Sequence, residues 1–145
     1  MAGEKSAEIT SGVKLLADLE GHGPPAAKGD RVVFNMKIWL NRGEEVPLNA
    51  VQAQHVPEQM IRKVGEEKLI DHTAKLGRRE VVAGVERSLM GMKAGGYRKV
   101  RVSPHLAYRE KGLPGLIPES AVLVVEIWLR EIRPAGPLSA GTAHR

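Results

Sequence analysis

Three segments of this chain alternate apolar and polar residues with a period of two. The clearest of them has apolar side chains at every second position, namely Val32, Phe34, Met36, Ile38 and Leu40. Polar side chains lie between them, including Arg31, Asn35 and Lys37. Successive side chains of a β-strand point to opposite faces, so the pattern predicts a strand with one buried face. Similar patterns predict strands at residues 97–102 and 122–132. Residues 13–19 can form a further strand, and Asn41-Arg42-Gly43 predicts a turn into a short strand around Glu45 and Val46.

Helical periodicity is strong in one place. From Glu80 onwards, apolar residues recur at spacings near three and four, which predicts a short helix ending towards Met90 and Gly91. These residues are Val81, Val82, Val85 and Leu89. A weaker pattern over residues 58–70 predicts a second amphipathic helix beginning after Pro57.

The order of these elements indicates the fold class. Strands and helices are not regularly interleaved, which disfavours a doubly wound parallel sheet. We therefore predict an α+β domain in which an antiparallel sheet of about four to six strands wraps on a short α-helix. Residues 1–11 and 134–145 are small, polar or rich in Gly and Pro, and they predict a flexible N-terminal arm and a flexible C-terminal tail.

Composition excludes several kinds of chemistry. The 145 residues include no cysteine, and the five histidines are far apart in the sequence. Thiolate and HExxH-type metal sites are therefore not expected, and no sequence motif predicts a cofactor. The chain contains no apolar run long enough to cross a bilayer and no signal-peptide pattern, so we expect a cytoplasmic protein.

The net charge of +5 raises the question of nucleic-acid binding. Aromatic residues make up only 3% of the chain, and no block of five or six like charges occurs. Tyr97, Arg98, Lys99 and Arg101 are better interpreted as a solvated strand face than as a nucleic-acid patch. We do not expect nucleic acid to be a partner.

The second half of the chain carries an ordered set of motifs. From Leu76 it reads LGRREVVAGVERSLMGMKAGGYRKVRVSPHLAYREKGLPGLIPESAVLVVEIWLREI. This sequence resembles the C-terminal half of FKBP-type peptidyl-prolyl isomerases, as a divergent, bacterial-like member. The resemblance covers about residues 12–133, and this chain is longer than compact family members at residues 47–70.

The resemblance implies an enzyme that holds a substrate proline in an apolar pocket between sheet and helix. It implies that Tyr108 donates its hydroxyl to a substrate carbonyl and that Ile117 donates its backbone N–H. The implied pocket residues are Met36, Val46, Val81, Val82, Val85, Leu113 and Val125. The expected partners are proline-containing peptides or unfolded chains, bound by a monomer without metal or cofactor.

Several positions depart from the family pattern. Met36 stands where the family usually has tyrosine, Val46 where it has phenylalanine, and Pro47 where it has aspartate. Val85 replaces a tryptophan or leucine, and Val125 replaces a phenylalanine. We therefore expect a pocket depleted in aromatic rings, with weakened prolyl binding and poor binding of the family's macrolide inhibitors.

Two hypotheses remain from the sequence. The first is a prolyl cis-trans isomerase that assists the folding of peptides or proteins. The second is a non-catalytic binding or chaperone module that uses the same groove or the insert at residues 47–70. The matched Tyr108 loop favours the enzyme, whereas the missing aromatic residues favour the module.

Overall fold

The backbone is built around a seven-stranded antiparallel sheet. The structure is a computed structural model, and it describes residues 8–107 and 112–135. The strands are β1 (Glu8–Thr10), β2 (Val13–Leu19), β3 (Arg31–Leu40), β4 (Glu45–Val46), β5 (Ile61–Val64), β6 (Glu67–Ile70), β7 (His72–Lys75), β8 (Tyr97–Val102) and β9 (Leu123–Arg133). The α-helices are α1 (Leu48–Gln52) and α2 (Ala83–Leu89), and single 3-10 turns cover Glu58–Met60 and Pro104–Leu106.

Two long strands form the centre of this sheet. β3 pairs with β9 along its whole length, from Arg31 opposite Arg133 to Leu40 opposite Leu123. On its other edge, β3 pairs with β7 and then with β4, while β9 pairs with β8, which leads on to β2 and β1. The predicted α+β class and antiparallel sheet are confirmed.

One row of apolar side chains crosses five strands of the sheet. Cross-strand register places them side by side, in the order Leu15, Val100, Val125, Ile38 and Val46. Four of the five are at least 97% buried, and Leu15 packs against the same core. Side chains in register on one face pack directly on each other, so this row forms a continuous apolar surface.

The main sheet has seven strands against the predicted four to six, and a separate two-stranded sheet of β5 and β6 brings the described residues to nine strands. The additional strands are short and carry too few residues to show a periodic pattern. β1 also lies within the predicted flexible arm of residues 1–11, and it is ordered by pairing with β2. Residues 1–7 and 136–145, which make up most of the predicted arm and tail, lie outside the described part of the chain.

The short helix predicted from Glu80 onwards forms, but it begins at Ala83. Val82 precedes it with an extended ψ of 148°, a conformation that β-branched side chains favour. Val85 and Leu89 are almost fully buried against the sheet. At the other end, the Arg98 guanidinium donates to the carbonyl oxygens of Ser88 and Met90 at 2.8 and 3.2 Å. These bonds satisfy carbonyls that the helix end leaves free.

The helix predicted over residues 58–70 is wrong. That segment contains one 3-10 turn followed by the β5–β6 hairpin, whose turn includes Gly65 at a φ of +63°. The only α-helix of the insert lies earlier, at Leu48–Gln52. Glycine adopts this left-handed backbone without the steric cost that other residues meet, so Gly65 favours the hairpin turn.

Two partly buried hydrogen bonds of the Asn49 side chain attach the insert to the sheet. The Asn49 side chain donates to the carbonyl oxygen of Met36 at 2.9 Å and accepts from the N–H of Ile70 at 3.0 Å. One amide side chain therefore joins α1, β3 and β6. This arrangement holds the insert at a defined place on the sheet.

A second amide completes the attachment. Asn35 is fully buried, although its place among the polar positions of β3 predicts a solvated side chain. Its amide donates to the Ile70 carbonyl and to the Asp71 carboxylate, both at 2.7 Å, and its oxygen accepts from Arg130 at 2.6 Å. Burial raises the pKa of Asp71, but hydrogen bonds from Arg62 and Asn35 outweigh it and hold that pKa below its usual value.

The close approach of α2 to the sheet depends on Gly84. A Cβ atom at this position would lie 2.4 Å from Val102 Cγ1 and 3.1 Å from the Leu106 carbonyl oxygen. Alanine favours a helix over glycine by about 1 kcal/mol. Overpacking a core costs about 1–3 kcal/mol. We predict that Gly84→Ala lowers the free energy of unfolding by up to about 2 kcal/mol, measured by urea denaturation.

The Val102→Ala variant provides the control for this prediction. With the Val102 methyl groups removed, Gly84→Ala should cost much less than in the wild-type background. An equal cost in both backgrounds would show that the clash is not the cause.

His72 predicts a pH dependence of stability. Its ring stacks on Phe34 with centroids 5.3 Å apart, and its Nε2 is buried with no hydrogen-bond partner in the described residues. Burial lowers the pKa of His72, and Asp71 offsets this only in part. The unfolded chain then binds a proton more readily, so the stabilisation is complete above about pH 6.5 and is lost as the pH falls towards the folded pKa.

We therefore expect His72→Phe, which keeps the ring stacking, to flatten the decline in unfolding free energy between about pH 7 and pH 5. Urea denaturation across this range measures the effect. The exposed His55 supplies the control, because His55→Gln should leave the decline unchanged. A decline of the same slope in His72→Phe would contradict the assignment.

Candidate active site

Most of the predicted pocket residues meet in one apolar cluster. Met36 from β3, Val46 from β4, Val85 from α2 and Val125 from β9 belong to the same core, and none is more than 7% exposed. Met36 lies two positions along β3 from Ile38, so it shares the face that carries the apolar row. We call these four residues the valine floor, since three of them are valines.

Three further predicted residues lie at the edge of this cluster. Val81 and Val82 immediately precede α2, and Leu113 lies in the loop between β8 and β9. All three are half-buried and pack against the core. They therefore present apolar surface at the boundary between the valine floor and solvent. All seven predicted pocket residues therefore belong to the hydrophobic core or pack against it.

Tyr108 lies outside the described residues, so its predicted role stays a prediction. The other predicted hydrogen-bond donor, Ile117, is described and is 97% buried. Its N–H donates to the Leu113 carbonyl at 2.7 Å, and its own carbonyl accepts from the Leu113 N–H at 2.8 Å. The Ile117 N–H is therefore already occupied within the loop. This pairing argues against the donor role that the resemblance implies for Ile117.

Sequence reasoning missed a different donor, the N–H of Val82. It has no acceptor in the described part of the chain, whereas the Val82 carbonyl accepts from the N–H groups of Val85 and Glu86, both at 3.0 Å. A helix leaves its first N–H groups without intrahelical partners. One sequence feature could have indicated this donor, namely the predicted start of α2. There the apolar pair Val81 and Val82 adjoins the predicted pocket.

The site has little capacity for acid–base chemistry. None of the predicted pocket residues that the structure describes has an ionisable side chain. Within residues 8–107 and 112–135, no group of three or more His, Cys, Asp or Glu side chains is arranged to hold a metal ion. What the described part of the site can offer is an apolar surface with a backbone donor, the Val82 N–H, beside it.

The aromatic residues lie mainly elsewhere. Phe34 belongs to the core, whereas Trp39, Tyr97 and Trp128 lie on the sheet face opposite α2. Burial and a hydrogen bond to Glu126 raise the pKa of Tyr97, so its hydroxyl stays protonated. The described part of the pocket is therefore aliphatic, as the departures from the family pattern predict.

No helix in the described residues combines the length and the apolar character that crossing a membrane requires.

Comparisons with known proteins identify the family. A family model for FKBP-type peptidyl-prolyl cis-trans isomerases matches residues 23–130. FK506-binding protein 4 of Chaetomium thermophilum is 44% identical over 126 residues, which cover 87% of this chain. An FK506-binding protein of Neisseria meningitidis is 28% identical over 122 residues, which cover 83% of this chain and 97% of that protein.

A solved structure is similar over most of the chain. The crystal structure of FkpA from Escherichia coli matches with a TM-score of 0.67 and 28% identity, covering 93% of this chain and 55% of that one. The chain spans only about a quarter of the length of its fungal relatives, 25% of one and 22% of another. The sheet wrapped on α2 and the match over residues 23–130 show that this chain belongs to the FKBP-type peptidyl-prolyl cis-trans isomerase family.

Proposed function

We propose that this protein catalyses the cis-trans isomerisation of X-Pro bonds in peptides or unfolded proteins. The observation that carries the proposal is the valine floor, a buried apolar surface between sheet and helix in a chain of this family. The proposed substrates are chains that present an exposed proline next to an apolar residue. The ring of that proline would pack on the valine floor between Val81, Val82 and Leu113.

The reaction needs no covalent step. Rotation about a peptide bond faces a barrier of roughly 18–20 kcal/mol, because amide resonance is lost when the bond twists. Transfer of the amide from water to an apolar surface disfavours its planar, charge-separated form. A site that binds the twisted amide more tightly than either planar form lowers the barrier further.

A backbone donor assists this twist. We assign it to the N–H of Val82 in place of Ile117, since the Ile117 N–H is already paired with Leu113. Tyr108, matched to the family by sequence, remains our proposed second donor. A hydrogen bond that forms best in the twisted state stabilises the transition state selectively.

The alternative is a non-catalytic binding or chaperone module. The aliphatic floor favours it, since valine and methionine shape a prolyl site less closely than aromatic rings do. Such a module would bind proline-containing chains without accelerating their isomerisation. The same lack of rings supports our expectation of poor macrolide binding.

The assignment of Val82 can be tested by removing its N–H. The φ of −58° at this position fits proline, so Val82→Pro deletes the donor without forcing the backbone angle. In a protease-free isomerisation assay on a peptide with an apolar residue before proline, we expect kcat/KM to fall about tenfold.

Val82→Ala is the matched control, because it shortens the side chain but keeps the N–H. We expect it to retain most of the activity, while Tyr108→Phe should lose activity as Val82→Pro does. Equal losses in Val82→Pro and Val82→Ala would assign the effect to the side chain and exclude the donor role. No acceleration by the folded wild-type protein would favour the binding module.

A further inference from the structure

A groove on the sheet face opposite α2 has the chemistry of a second binding site. Alternate residues of β8, β9 and β3 point to this outer face. Arg101, Val124 and Trp39 form one row across the three strands, and Lys99, Glu126 and Lys37 form the next. The groove between these rows and the Asn41–Gly43 turn encloses about 380 Å³. We call it the outer groove.

The outer groove contains cationic side chains without anionic partners. Lys99 forms no ion pair with any described residue, and Arg101 donates only to the neutral side chain of Asn41, at 3.0 Å. In contrast, Lys37 and Arg98 pair with Glu67 and Asp18 at 2.7 and 3.2 Å. The charges of Lys99 and Arg101 are therefore available to an incoming anion.

One carboxylate, that of Glu126, lies in register beside Lys99, and each of its oxygens already accepts a hydrogen bond. One Glu126 oxygen accepts from the Trp39 indole N–H at 2.9 Å, and the other accepts from the Tyr97 hydroxyl at 2.7 Å. The first of these bonds also orients the Trp39 ring. Glu126 thus acts as a support for the aromatic wall.

The remaining wall of the outer groove is apolar. Leu16, Val124 and Trp39 line it, and each is only half-buried. A ligand that matches the groove must therefore combine an anionic group with an adjacent apolar group. Aspartate or glutamate next to a large aliphatic residue in an extended peptide has this combination.

We propose that the outer groove binds a short acidic and apolar segment of a partner protein. The partner's carboxylate lies between Lys99 and Arg101, and its neighbouring apolar side chain packs on Trp39 and Val124. The groove and the valine floor lie on opposite faces of the sheet. The protein can therefore hold a partner here while its other face accepts a proline.

The geometry favours a peptide over single-stranded nucleic acid. Base stacking needs accessible aromatic faces. The Lys37 ammonium lies over one face of Trp39, 5.4 Å from the ring centroid. Tyr97 and Trp128 pack against each other, with ring centroids 5.4 Å apart and an interplanar angle of 47°.

The test measures binding to the full chain by fluorescence anisotropy. The probe is a labelled peptide of repeated Ser-Glu-Leu units, and its controls replace glutamate by glutamine or lysine. We expect the glutamate peptide to bind and the two control peptides not to bind. Binding of the glutamate peptide should weaken as the ionic strength rises above about 0.15 M. The double variant Lys99→Gln with Arg101→Gln should weaken binding roughly fivefold.

Lys63→Gln is the matched variant, because Lys63 is an exposed lysine on the β5–β6 hairpin, outside the groove. It should bind the peptide as the wild type does, and the double variant should keep the wild-type isomerisation rate. Three results would overturn the proposal: no binding at low ionic strength, an equal loss in Lys63→Gln, or tighter binding of a thymidine oligonucleotide than of the peptide.

Discussion

The antiparallel pairing of β3 with β9 is the constraint on which the rest of the structure depends. It joins strands that begin at residues 31 and 123. β4, β7 and β8 pair directly with β3 or β9, and β2 pairs with β8. A pairing of such long sequence separation costs much chain entropy. Burial of the inward-facing residues of both strands offsets that cost, and the same burial creates the valine floor.

The sequence predicts the parts of the fold whose side chains repeat regularly. β3, β8 and β9 are long enough for a period of two to be visible, and α2 buries Val85 and Leu89 at the expected helical spacing. In the insert, by contrast, the periodicity is misleading. Its apolar residues have a helical spacing by chance, and the hairpin depends on Gly65 and on attachments to distant residues. Asn35 is fully buried and bonds to Ile70 of the insert, a contact that alternation within β3 cannot reveal.

In the candidate site, too, the sequence predicts some features and misses others. The family resemblance identifies the positions of the valine floor, and the strand register brings Val46 and Val125 into one row through Ile38. The donor role of Ile117 is a different kind of prediction, because it depends on whether one N–H is free. The bond from Ile117 to Leu113 forms between residues four apart in a loop without periodicity. Only coordinates reveal such a bond.

The two amide side chains that attach the insert have a consequence for how this chain can be shortened. Excising residues 47–70 would remove Asn49 and the Ile70 N–H that bonds to it, but it would leave the Met36 carbonyl and Asn35 behind. The Met36 carbonyl would lose its bond from Asn49, and Asn35 would lose the Ile70 carbonyl while keeping its two side-chain partners. Each buried polar group left without a partner costs about 1–3 kcal/mol. A compact version of this protein would therefore need new partners for these two groups on β3, so the insert and the central strand can change only together.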